Sequence, residues 1–117
     1  MKFQFKTTAT MKTHNNKNWW IDSGIVREIT VEADNIKSAL DQYRETVQDQ
    51  YYITISKSAL KNKRPMYRDT ADGGALQCGY VITGSTDFND NYRAWVTQYI
   101  NLWVTICIVS NPFTGGI

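Results

Sequence analysis

This 117-residue chain carries only two cysteines (Cys78 and Cys107), two prolines and one histidine (His14). Two cysteines cannot build the disulfide framework of a small secreted domain. One histidine and two separated cysteines, without CxxC or HxxxH spacing, supply no recognisable metal set, so neither a metal nor another cofactor is expected. Gly73-Gly74 and Gly84 match no phosphate-binding loop, which removes the nucleotide fingerprint. The longest stretch free of charge, Ala94 to Ile117, is interrupted by Thr97, Gln98, Asn101, Thr105 and Ser110. It lacks the run of ~20 apolar residues that a membrane helix requires, so no membrane partner is expected. At the start, Lys2, Gln4, Lys6 and several threonines break up the apolar residues, leaving no signal-peptide core and pointing to the cytoplasm. Against these absences stand 42% hydrophobic residues and four Trp, seven Tyr and four Phe. That content suits one core and argues against disorder, so residues 1–117 read as a single domain.

The apolar pattern predicts the elements. Met1, Phe3, Phe5, Thr7, Ala9 and Met11 alternate with Lys2, Gln4, Lys6, Thr8, Thr10 and Lys12, the period of a half-buried strand over residues 2 to 11 with a basic outer face. A polar turn-rich stretch, residues 13 to 18, reads as a loop. A second extended segment opens at Trp19-Trp20 and continues with Ile29, Val31 and Ala33 on one face and Glu28, Thr30 and Glu32 on the other. The two strands should pair antiparallel, with lysine meeting glutamate across them. Asp34 or Asn35 then caps a helix of about residues 35 to 49, whose apolar stripe is Ile36, Ala39, Leu40, Tyr43 and Val47. Its other face, including Lys37, Asp41 and Arg44, reads as solvated surface.

Beyond the helix, Tyr51, Ile53 and Ile55 alternate with Tyr52 and Thr54 as a third strand. Residues 57 to 74 read as a long surface connection, with a helical turn at Ala59-Leu60 capped by Ser56. Residues 75 to 86 and 94 to 109 are dense in β-branched and aromatic residues and should form a long hairpin turning at Asp87 to Asn91. Symmetry about residues 90 and 91 would place Cys78 opposite Trp103, Ile82 opposite Tyr99 and Gly79 opposite Leu102. The later strand, ~50 Å if straight, should bend or bulge. The expected fold is α+β: a mainly antiparallel five-stranded sheet with one helix packed on it, in the order strand-strand-helix-strand-strand-strand, closing in a long C-terminal hairpin.

Charge is uneven behind the formal net value of +2. Residues 1 to 21 and 57 to 68 hold nine basic residues and no acid, while all 11 acids lie elsewhere. Lys57, Lys61, Lys63, Arg64 and Arg68, with Tyr67 offering a stacking face, form a candidate binding cluster for phosphates or another anion. Trp19 and Trp20 are further candidates, because adjacent residues of an extended chain point to opposite faces and one of the pair must find cover. No cysteine has a base near it in sequence, so no catalytic residue is assigned and an enzyme is not expected.

The stretches Lys2 to Lys12, Asn18-Trp19-Trp20-Ile21-Asp22, Ile53-Thr54-Ile55-Ser56 and Gly79-Tyr80-Val81-Ile82-Thr83-Gly84 resemble, together, small accessory proteins carried by phages, plasmids and conjugative elements of Firmicutes. That resemblance brings no functional motif. It implies a setting in which small inhibitors of host defence, anti-CRISPR proteins included, are common. The expected function is a non-enzymatic protein-interaction module acting through an aromatic surface and the basic segment 57–68. Its partner would be a host protein or a second copy of itself, with a homo-oligomer, and a dimer first, expected. The alternative is a nucleic-acid-binding accessory protein using the basic segment.

Overall fold

The computed structural model describes residues 1–11, 28–90 and 94–109; Trp19, Trp20, His14 and the loop expected at residues 13 to 18 lie outside them. Five strands and two helices follow in chain order: β1 (Lys2–Met11), β2 (Glu28–Glu32), α1 (Ile36–Tyr51), α2 (Lys57–Lys61), β3 (Arg64–Asp69), β4 (Ala75–Asp90) and β5 (Ala94–Val109). The α+β class holds, and the five strands form one antiparallel sheet in the order β2-β1-β5-β4-β3.

The period-two strand is β1, with Phe3, Phe5, Thr7 and Ala9 buried against the helical layer. Its register with β2 sets Lys2 opposite Glu32 and Lys6 opposite Glu28, the expected lysine–glutamate ladder. Gln4 reinforces it by donating from Nε2 to Glu28 Oε1 at 2.6 Å. On its other side β1 pairs over its whole length with β5, Lys2 opposite Val109 through Met11 opposite Ile100, so the two ends of the described chain meet in the middle of the sheet.

α1 starts where its cap predicts: Asn35 Oδ1 accepts the backbone N–H of Ser38 at 2.9 Å. Ala39, Leu40, Tyr43 and Val47 are buried on the sheet, and Tyr43 stacks on Phe5 with ring centroids 4.8 Å apart. The helix runs to Tyr51 and stops at Tyr52, whose φ of 57° is left-handed and whose N–H reaches Gln48 O.

Four expectations are corrected. Residues 51 to 55 are not a strand. Tyr51 ends the helix, and only Thr54 bridges the sheet, exchanging backbone bonds with Ser85. Ile53 and Ile55 are nevertheless buried, so the alternation is that of an extended segment pinned beneath the helix, where Arg44 Nε donates to Ile55 O at 2.8 Å. Residues 57 to 74 are not one long connection. Ser56 caps α2 as expected, accepting from Ala59 N, but Arg64–Asp69 pairs with β4 as the edge strand β3. Pro65 concealed it, since proline is tolerated on an edge where no N–H is required inward. The turn is confined to residues 70–74, where Asp72 accepts from the Thr70 hydroxyl and Gly74 N.

The hairpin register is the third. β4 runs on to Asp90, so the turn expected from Asp87 is not there. Ile82 faces Leu102, Gly79 faces Thr105, Val81 faces Trp103 and Ser85 faces Tyr99. The expected register would have pointed Cys78 and Trp103 to one side and set core residues of one strand beside surface residues of the other. The observed one keeps Ile82 with Leu102 and Tyr80 with Val104 on the helix-covered face. The fourth is the bulge expected in the later strand: β5 pairs with both neighbours without any shift, and the irregularity lies between β3 and β4, at Met66/Tyr67 opposite Cys78.

Candidate binding surfaces

Both helices lie on one face of the sheet, since α1 and α2 pack with the side that carries Phe5, Ile82 and Leu102. Alternation along β5 sends Tyr99, Asn101, Trp103, Thr105 and Cys107 to the other face. No described element covers that face. Trp103, on the central strand, is 40% exposed and Tyr99 55% exposed. The Trp103 ring is held in place, because its Nε1 donates to Thr10 Oγ1 at 2.9 Å and its cross-strand neighbours are Thr8 and Val81. Val81 is only 7% exposed although it sits on the helix-free side. Asn101 Oδ1, one pair along from Trp103, is buried without a hydrogen-bond partner among the described residues.

The edge strands of this face differ in sign, although β1 sets Lys2 and Lys6 beside the glutamates of β2. At one edge, β2 presents Glu28 and Glu32. At the other, Arg64 pairs with Val81 and Met66 with Gly79, so Arg64, Met66 and Arg68 lie on the helix-free side of β3. Lys63, Pro65 and Tyr67 alternate to the helix side. The basic cluster is therefore divided by the sheet.

On the helix side, Lys57 and Lys61 stand on α2, and Lys63 follows it. They meet Lys37 of α1 around a groove of about 670 Å³ between the two helices and β4. Ile36, Leu40, Leu60 and Tyr80 give that groove its apolar lining, and Asp41 is its one acid. Ile36, read as part of the core stripe, is 37% exposed because it lines this opening. Lys63 Nζ sits 5.0 Å from the centre of the Tyr80 ring and donates to Leu60 O at 3.3 Å. Among the described residues none of the four lysines has a salt-bridge partner.

Of the candidate residues, Lys57, Lys61 and Lys63 come together at the groove; Arg64 and Arg68 join the Trp103 face; Tyr67 is exposed on the helix side of β3. Sequence reasoning missed Lys37 and Tyr80 at the groove. Lys37 looked like ordinary helix surface, and only its one-turn spacing to Asp41 and its place beside Ile36 hinted at more.

Cys78 is half-buried and its thiol lies 3.5 Å from Met66 O, while Cys107 is exposed on the helix-free face. Among the described residues no three His, Cys, Asp or Glu side chains gather as a metal site, and no helix is long and apolar enough to cross a membrane. No protein-family model, curated protein or solved structure matches the chain.

Proposed function

We propose that this chain is a non-enzymatic interaction module whose helix-free sheet face binds a second copy of itself. The observation that carries the reading is Trp103, a half-exposed, hydrogen-bonded tryptophan at the centre of a sheet side that no described element covers. Trp, Tyr, Arg and Met are the residue types that dominate interface cores, and Trp103, Tyr99, Arg64 and Met66 bring them together here.

The edges favour a second copy. A twofold axis parallel to β5 stacks the two central strands and carries the β2 edge of one copy over the β3 edge of the other. Glu28 and Glu32 then face Arg64 and Arg68, while the perpendicular axis would set arginine on arginine. Strands stay nearly aligned, as in packed β-sandwiches with sheets ~10 Å apart. A nucleic-acid reading would require Lys61, Lys63, Arg64, Tyr67 and Arg68 on one surface, and the alternation of β3 divides them.

Sedimentation equilibrium tests it. The wild type should dimerise at micromolar concentration, and Trp103→Asp should weaken the dimer by about thirtyfold or more, the ~2 kcal/mol of a central anchor. Arg64→Glu with Arg68→Glu should also dissociate it, and mixing that variant with Glu28→Lys, Glu32→Lys should restore a heterodimer. A wild type that stays monomeric at millimolar concentration overturns the reading.

A further inference from the structure

We infer that the groove between α1 and α2 is a binding site for a single-chain anionic amphiphile, a ligand with a carboxylate, sulfate or phosphate head on an apolar body. The site is separate from the Trp103 face: Tyr80 and Val81 are neighbours on β4 and point to opposite sides of the sheet.

Two properties of the groove define the ligand. Its charge is four lysines against one aspartate, without salt-bridge partners among the described residues. Lysine ammonium groups are compact and carried on flexible stems, so they can converge on a small anionic head instead of reading a fixed planar shape. Its lining is apolar where an ordinary solvated basic patch would be polar. Ile36 remains exposed beside Leu40, Leu60 and Tyr80, and a hydrocarbon or aromatic body laid there would remove that area from water. A volume of about 670 Å³ is within the usual range for small-molecule sites. Lys63 is already fixed over Tyr80, which leaves Lys37, Lys57 and Lys61 as the groups free to close on the head.

Neither property alone selects this ligand. Inorganic phosphate would use only the lysines, and a neutral amphiphile only the lining.

Isothermal titration with dodecyl phosphate, kept below its micelle concentration, tests the assignment against inorganic phosphate and dodecyl maltoside. Dodecyl phosphate should bind at least tenfold more tightly than either, and more weakly as salt is raised. Lys57→Glu with Lys61→Glu should cut its affinity tenfold or more, and Ile36→Ser should cut it severalfold; circular dichroism checks that both variants stay folded, and Ile36, on the helix surface, is the milder change. Trp103→Asp should leave binding unaltered, which separates this site from the proposed dimer face. Equal affinity for dodecyl maltoside or for inorganic phosphate, indifference to both groove variants, or binding only to vesicles of anionic phospholipid and not to the free amphiphile would each overturn it.

Discussion

Thr7 is the one buried polar residue on the core face of β1, and its hydroxyl shares a 2.7 Å hydrogen bond with that of the fully buried Tyr43. Each group satisfies the other, so removing either leaves a buried hydroxyl alone, at about 1–3 kcal/mol. Burial pushes the Tyr43 hydroxyl well above its ordinary value of 10.0, with the Thr7 bond pulling weakly the other way. A raised pKa in the folded state means that stability is complete below pH 10 and falls as pH rises beyond it, because the unfolded chain can ionise and the folded chain resists. Tyr43→Phe should therefore lower stability at pH 7 by about 1–3 kcal/mol. It should also abolish the part of the alkaline loss due to this group, up to ~1.4 kcal/mol per pH unit. Urea titrations of both proteins between pH 8 and pH 11.5 measure the difference; parallel curves across that range would refute it.

At the scale of elements, most boundaries follow from local chemistry. The alternation of β1, the Asn35 and Ser56 caps, the stripe of α1 and the bounds of β5 are all legible along the chain, because each rests on residues within a few positions of one another. The end of α1 is different. Tyr52 adopts a left-handed backbone that costs a residue with a Cβ ~1 kcal/mol or more, while its side chain is largely exposed. Tyr52→Gly should stabilise the fold by about 0.5–1 kcal/mol, read as a higher urea midpoint at unchanged slope. Gly79 and Gly84 are fixed for another reason, since a Cβ at Gly79 would stand 1.8 Å from Val104 O, and one at Gly84 would stand 2.8 Å from Ile53 Cγ2. The missing side chain at Gly84 is what lets the extended segment at Ile53 press against β4.

For the whole molecule, the helical layer covers one side of a five-stranded sheet and leaves the other with Trp103 and Tyr99. If two copies close over that side, stability becomes a function of concentration. The wild-type melting temperature should then rise between 1 and 200 μM, and that of Trp103→Asp should not. A concentration-independent melting temperature for the wild type, measured by scanning calorimetry, would count against the dimer.

Sequence alone determined β1, the start and stripe of α1, the cap of α2 and the bounds of β5, but the alternation at 51–55 and the turn residues from Asp87 misled it, because the sheet overrode both. It also marked residues 57 to 68 as the basic segment and the aromatic strands as surplus to what one helix can cover. It could not assign β1 to β5, because that pairing joins residues about a hundred positions apart and leaves no local trace. Nor could it see that β3 divides the basic cluster. Lys63 and Arg64 are neighbours in the chain, and only once Arg64–Asp69 is paired to β4 do they fall on opposite sides of the sheet. The packing of α1 and α2 on one side of the sheet gathers Lys37 with Lys57 and Lys61 around the groove lined by Tyr80. Local sequence sets what each segment prefers; the faces those segments share are decided by long-range register, a property of the folded sheet alone.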